Sequence, residues 1–144
     1  MRTYEMAALL VAAVLILDAL LHVYWMTGRT WPARDVTSLS RGLLNADVPF
    51  TPRVLAPLVL ALSGGAVTVL AQADVVLTGL PGWLPMAGTV AVAAGLALRT
   101  LAGLAWALGI GARRDSTFYK LNLVLYTPVC ILLTTATTHV ACRW

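Results

Sequence analysis

Three ionisable side chains stand inside apolar stretches of this 144-residue chain, and their types are those of acid–base chemistry: Asp18, His22 and Arg99. A charged group in hydrocarbon costs roughly 3 kcal/mol on insertion scales, so each needs a compensating neighbour or a task. Asp18 and His22 lie one helical turn apart and meet on one face, which Trp25 extends. The helical rise puts Asp18 within about one turn of the middle of its stretch. Arg99 stands four residues after Gly95 and four before Gly103, and Gly88 continues the row. Small residues flanking an arginine imply a face packed against other helices. Taking the third helix as antiparallel to the first sets Arg99 at the depth of Asp18. An Asp18–Arg99 pair is therefore expected, with His22 joined to it.

Further polar residues mark the last apolar stretch. Asn122, Tyr126, Cys130, Thr134 and Thr138 recur every fourth residue, a stripe interrupted by Pro128, which deprives the Val124 carbonyl of its helical donor. Such kinks survive in membranes where protein groups satisfy the freed carbonyl. Asn122 and Tyr126 are expected level with His22 and Trp25, enclosing one polar pocket. The expected catalytic residues are Asp18, His22 and Arg99. The expected substrate-binding residues are Trp25, Tyr24, Asn122, Tyr126, Trp106 and Cys130. No metal-ligand set and no cofactor motif is found. A second reading treats Asp18 and Arg99 as a static clamp, with Asn122 and Tyr126 as interhelical hydrogen bonds.

The elements that must position these groups follow from composition. The chain is 60% hydrophobic and 11% charged, too little charge to cover a soluble surface. About 20 apolar residues in helical form cross the hydrocarbon layer. Stretches of that kind run over residues 5–27, 54–73, 83–110 and 118–140. The expected fold is all-α, a single membrane domain forming a four-helix bundle. The first stretch resembles a secretory signal, but it is too long, carries Asp18 and lacks a small-x-small cleavage site. Residues 36–44, between Trp31-Pro32 and Pro49-Phe50-Thr51-Pro52, mix apolar and basic side chains and suit a short interfacial helix. Two readings of that segment stand: a solvated loop anchored by aromatics, or a lid over a cavity open to the cytoplasmic leaflet. Gly64, Thr68 and Gln72 form a further stripe expected to face the bundle.

Ten lysines and arginines against six acids give a net charge of +4. In a soluble chain this would suggest nucleic acid. Here Arg29, Arg34, Arg41 and Arg53 fall in one connection and Arg113, Arg114 and Lys120 in another, while residues 74–82 carry no base. The positive-inside bias places loops 28–53 and 111–117 in the cytoplasm and both termini outside. Trp31, Trp83, Trp106 and Trp144 suit an interfacial aromatic belt, and His139 an interfacial position. Glu5, Asp74 and Asp115, at span ends, are expected in solvent. Cys130 and Cys142 lie too far apart along one helix to form a disulfide.

His22-Val23-Tyr24-Trp25, the lone Arg99 and Leu121-Asn122-Leu123-Val124-Leu125-Tyr126-Thr127-Pro128-Val129-Cys130 resemble the bacterial family called domain of unknown function 3995. That family has four membrane helices, an HxYW-like motif in the first and a DxxxYSPLC-like motif in the last. The chain departs from it at Gly103, where an acid often follows the arginine, and at Asn122, where aspartate is usual. The resemblance implies a divergent member in a bacterial inner membrane and brings no activity.

The leading functional expectation is a membrane enzyme acting on a hydrophobic, isoprenoid-like substrate by proton-initiated cyclisation or isomerisation. Asp18 or His22 would donate the proton and Trp25 and Tyr126 would face the cation. The arrangement is similar in kind to small membrane-bound terpene cyclases. The alternatives are a small proton-linked transporter and a non-catalytic partner subunit. The expected partners are the bilayer, a hydrophobic small molecule and a second copy of the chain, with no nucleic acid.

Overall fold

Uninterrupted apolar runs become long helices, and polar punctuation sets where they stop. In the computed structural model, which describes residues 1–143, α1 spans Thr3–Met26 and α2 spans Val36–Leu44. Helix α3 spans Pro52–Gln72 and α4 spans Trp83–Ala107. The chain then forms α5 (Thr117–Leu121), a π-helical turn (Asn122–Tyr126) and α6 (Thr127–Ala141), stacked as one rod. Trp144, assigned to the aromatic belt, lies outside the described residues. No strand occurs among the described residues. Four helical segments are long and apolar enough to cross a membrane: α1, α3, α4 and the rod Thr117–Ala141. Their ends fall within three residues of the expected bounds.

The caps explain those ends. The Glu5 carboxylate accepts the Arg2 backbone N–H at 2.9 Å and closes the start of α1. Asp35 accepts the Ser38 N–H at 2.7 Å to start α2, and Asn45, at a φ of 57°, ends it in the left-handed region. Pro52 opens α3, where its missing N–H has no helical partner to lose.

The long helices form a ring in which α1 packs on α3 and α6, and α4 packs on α3 and α6. Helices α1 and α4 thus occupy opposite corners. Because α3 reverses the chain between them, α1 and α4 run in the same direction, which corrects the antiparallel assumption. Asp18 and Arg99 each lie eight residues before the last residue of their helices, so they do share a depth. The core, around Val11, Leu15, Val69 and Leu133, joins α1, α3 and α6. At one end α2 folds over the bundle, burying Leu39 against Trp25, Phe50 and Leu55.

The small-residue stripes are shifted from expectation. Gly64 is exposed with nothing near its α-carbon, and Gly65 takes the inward place against Val92 and Leu15. Thr68 and Gln72 do face α4, Thr68 lying under Gly88 and Gln72 reaching the Met86 sulfur at 3.7 Å. Gly95 is exposed, whereas Gly103 is buried against the rod.

Pro128 acts differently from a simple kink. The backbone widens over Asn122–Tyr126, and the Thr127 N–H donates to the Asn122 carbonyl five residues back. This wide turn inserts one residue into the helical register. The strict four-residue stripe therefore breaks: Asn122 and Thr127 are buried, while Tyr126 and Cys130 are half-buried to one side.

Candidate functional site

The expected Asp18–Arg99 ion pair is not formed, because its partners project from opposite corners of the ring. Each charge instead has its own surroundings. Among the described residues, Asp18 pairs with His22, whose Nδ1 lies 3.2 Å from a carboxylate oxygen. The same Nδ1 lies 2.8 Å from the Asp18 backbone carbonyl. A carbonyl only accepts, so Nδ1 carries the hydrogen and Nε2 is the nitrogen left to exchange a proton. The Asp18 side chain is 47% exposed and that of His22 only 12%. The Trp25 ring meets the imidazole edge-on at 5.0 Å and fixes its tilt.

Trp25 does not face an open chamber. It is 4% exposed, packs on Phe50, and donates its indole N–H to the Trp31 carbonyl at 3.0 Å. It anchors the connection between α1 and α3, and Tyr24 packs against the same cluster. Both residues therefore stand beneath α2 rather than on a substrate wall.

Arg99 reaches toward the end covered by α2. Its guanidinium carbon lies 5.0 Å from the Trp106 ring centroid and 5.7 Å from that of Tyr126. One N–H approaches the Asn122 side-chain oxygen at 3.4 Å. Phe118, buried and absent from the expected site, buttresses both aromatic rings at 5.0 and 6.3 Å. The Tyr126 hydroxyl donates to the Gly42 carbonyl at 3.0 Å, tying α2 directly to this cluster. The segment 36–44 is thus a helix that covers one end of the bundle.

Asn122 is fully buried and its amide is committed. It donates to the Gly103 carbonyl at 2.8 Å and accepts from the Thr127 hydroxyl at 3.2 Å as well as from Arg99. This makes it a clamp between α4 and the rod, with its side-chain amide engaged by protein groups. Thr127 went unrecognised because it stands five residues after Asn122. The Thr-Pro dipeptide, which produces the wide turn, is the signal that carries it. A further tie joins the Thr100 and Thr134 hydroxyls at 3.2 Å.

Cys130 and Cys142 are both free thiols. Among the described residues no group of metal-ligand type is clustered.

The remaining expected charges sit at the ends. Asp47 is held below the usual carboxylate range by its bond to Arg41, and Asp35 by the Ser38 N–H it accepts. Asp74 and Asp115 are exposed, as expected at span ends, and pair there with Arg143 and Arg113. The His139 ring bonds the Thr3 hydroxyl at 3.2 Å. A cleft of about 590 Å³ opens at that end of the bundle, lined by Gln72, Asp74, Trp83, Met86 and Arg143. Its two charges, Asp74 and Arg143, pair with each other.

A small all-helical protein with four membrane-length helices, a His–Asp dyad and an aromatic-bound arginine is the class defined by this arrangement. A family described as "Protein of unknown function (DUF3995)" matches residues 15–137, and the chain belongs to it. No curated protein and no solved structure matches the chain.

Proposed function

We propose that the chain is a multi-pass protein of a bacterial inner membrane that moves a proton on a lipophilic, isoprenoid-like substrate. In this reading both termini lie outside, and loops 28–53 and 111–117 lie in the cytoplasm, as the positive-inside bias supports. The observation that carries the proposal is the His22–Asp18 dyad in the second half of α1, whose Asp18 carboxylate is half-exposed. Asp18 fixes the imidazole through Nδ1, and Nε2 is the proton carrier.

The step balances as an isomerisation. The Nε2–H of the imidazolium adds to one alkene carbon, and the alkene electron pair forms the new C–H bond. The neighbouring cation loses a proton from the adjacent carbon to the now neutral Nε2, which shifts the double bond and restores the imidazolium. Isomerisation is favoured over a cyclisation cascade because the aromatic faces are already engaged. Trp25 is buried, and Trp106 and Tyr126 hold Arg99.

The test uses the protein in nanodiscs, in D₂O, with farnesoic acid and farnesyl phosphate as probes and mass spectrometry as readout. The wild type is expected to place solvent deuterium in an isomeric product. His22→Ala should abolish that label while leaving the unfolding temperature within a few degrees. Equal labelling by wild type and His22→Ala, or none by either, overturns the proposal.

A further inference from the structure

The guanidinium of Arg99 offers five N–H donors in a planar fork, and among the described residues only one of them has an acceptor, the Asn122 oxygen at 3.4 Å. None of the remaining nitrogens is buried without a partner, so they open to the surroundings of the bundle. No carboxylate of the described residues pairs with Arg99; Asp18, at the same depth, is engaged with His22. Trp106 and Tyr126 approach the guanidinium as ring partners, leaving the in-plane N–H edge as the outlet for its charge. Ring contacts offset only part of what a cation costs in hydrocarbon. An arginine presented edge-on in a low dielectric matches one ligand chemistry: two oxygens of a carboxylate or a phosphate, bound by parallel hydrogen bonds.

We propose that Arg99, framed by Trp106 and Tyr126 and braced by Asn122, binds the anionic head of an amphiphile. This goes beyond the acid–base reading and is independent of it, since Arg99 and the dyad stand at opposite corners of the ring. Tyr126 also bonds α2 through the Gly42 carbonyl, so occupancy of the cage bears directly on the seating of that helix.

Binding of dodecyl phosphate, dodecanoate and dodecanol to the full chain in phosphatidylcholine nanodiscs tests the inference by native mass spectrometry. At least one of the two anionic probes should bind saturably and at least about tenfold more tightly than dodecanol. The phosphate and carboxylate arms identify which head the cage prefers. Arg99→Gln should reduce anionic binding about tenfold without changing that of dodecanol, and Arg99→Lys should retain part of it. His22→Ala should bind the anionic probe as the wild type does, which separates a failure of head-group recognition from a failure of the proton-transfer reading. The inference is overturned if the wild type does not distinguish anion from alcohol, a result that needs no variant to fold. Unchanged binding of the anion by Arg99→Gln overturns it equally.

Discussion

At the scale of single residues, the bundle separates structural polarity from polarity that remains open. Asn122 has its amide hydrogen-bonded inside the contact between α4 and the rod, and Gly103 makes that contact close enough to form. A Cβ at Gly103 would fall on the Thr127 hydroxyl, whereas one at Gly95 would meet nothing. Gly103→Ala is therefore expected to destabilise by about 1–3 kcal/mol through overpacking, and Gly95→Ala to be neutral. Unfolding midpoints in detergent provide the comparison, and equal midpoints for the two variants would refute the clamp. His22 and Arg99 differ from Asn122 in keeping groups free after their contacts are counted: Nε2 in one, most of the guanidinium fork in the other.

At the scale of elements, α2 is held by contacts that respond to acid. Asp35 caps its first turn and Asp47 pairs with Arg41 in its last, at 2.6 Å. Both carboxyls are depressed below their ordinary values, each by the hydrogen bond it accepts. Stabilisation from such groups is fully present above the unfolded carboxylate range and is lost as pH falls through the depressed native values. A nitroxide at the exposed Thr37 should become mobile on acidification to about pH 3, below the ordinary carboxylate range near 4. In Asp35→Ala that mobility should already be higher at neutral pH. A label whose mobility is independent of pH would show that the apolar cluster around Leu39 alone seats the helix. The wide turn before α6 is the other informative element, since one inserted residue sends Thr127 inward and leaves Tyr126 to reach α2.

At the scale of the whole molecule, the ring order of the helices decides which charges can meet. Opposite corners keep Asp18 and Arg99 from neutralising each other, and this leaves a dyad on α1 and a cation on α4, each with its own partners. The orientation proposed for this bundle has its own check, because Cys142 is exposed at the end bearing the termini. A membrane-impermeant maleimide should label Cys142 from outside in intact spheroplasts. A cysteine at the exposed Arg34 position, in a Cys142→Ser background, should react only after permeabilisation. The reverse pattern would invert the topology.

Run length and punctuation were enough to determine the helices of this protein, because a stretch of about 20 apolar residues has few other stable forms. For residues 36–44 the sequence left a solvated loop and a short helix both open, and the Asp35 and Asn45 caps in the structure decide for the helix. The meeting of His22 with Asp18 was legible for a local reason, one turn of one helix. Pairings between helices were not. A four-residue spacing identifies a face, but only packing decides which neighbour the face meets and whether Gly64 or Gly65 turns inward. Depth can be counted along a chain, whereas distance across a bundle depends on ring order. That is why Arg99 found aromatic rings and Asn122 in place of the aspartate at its own level.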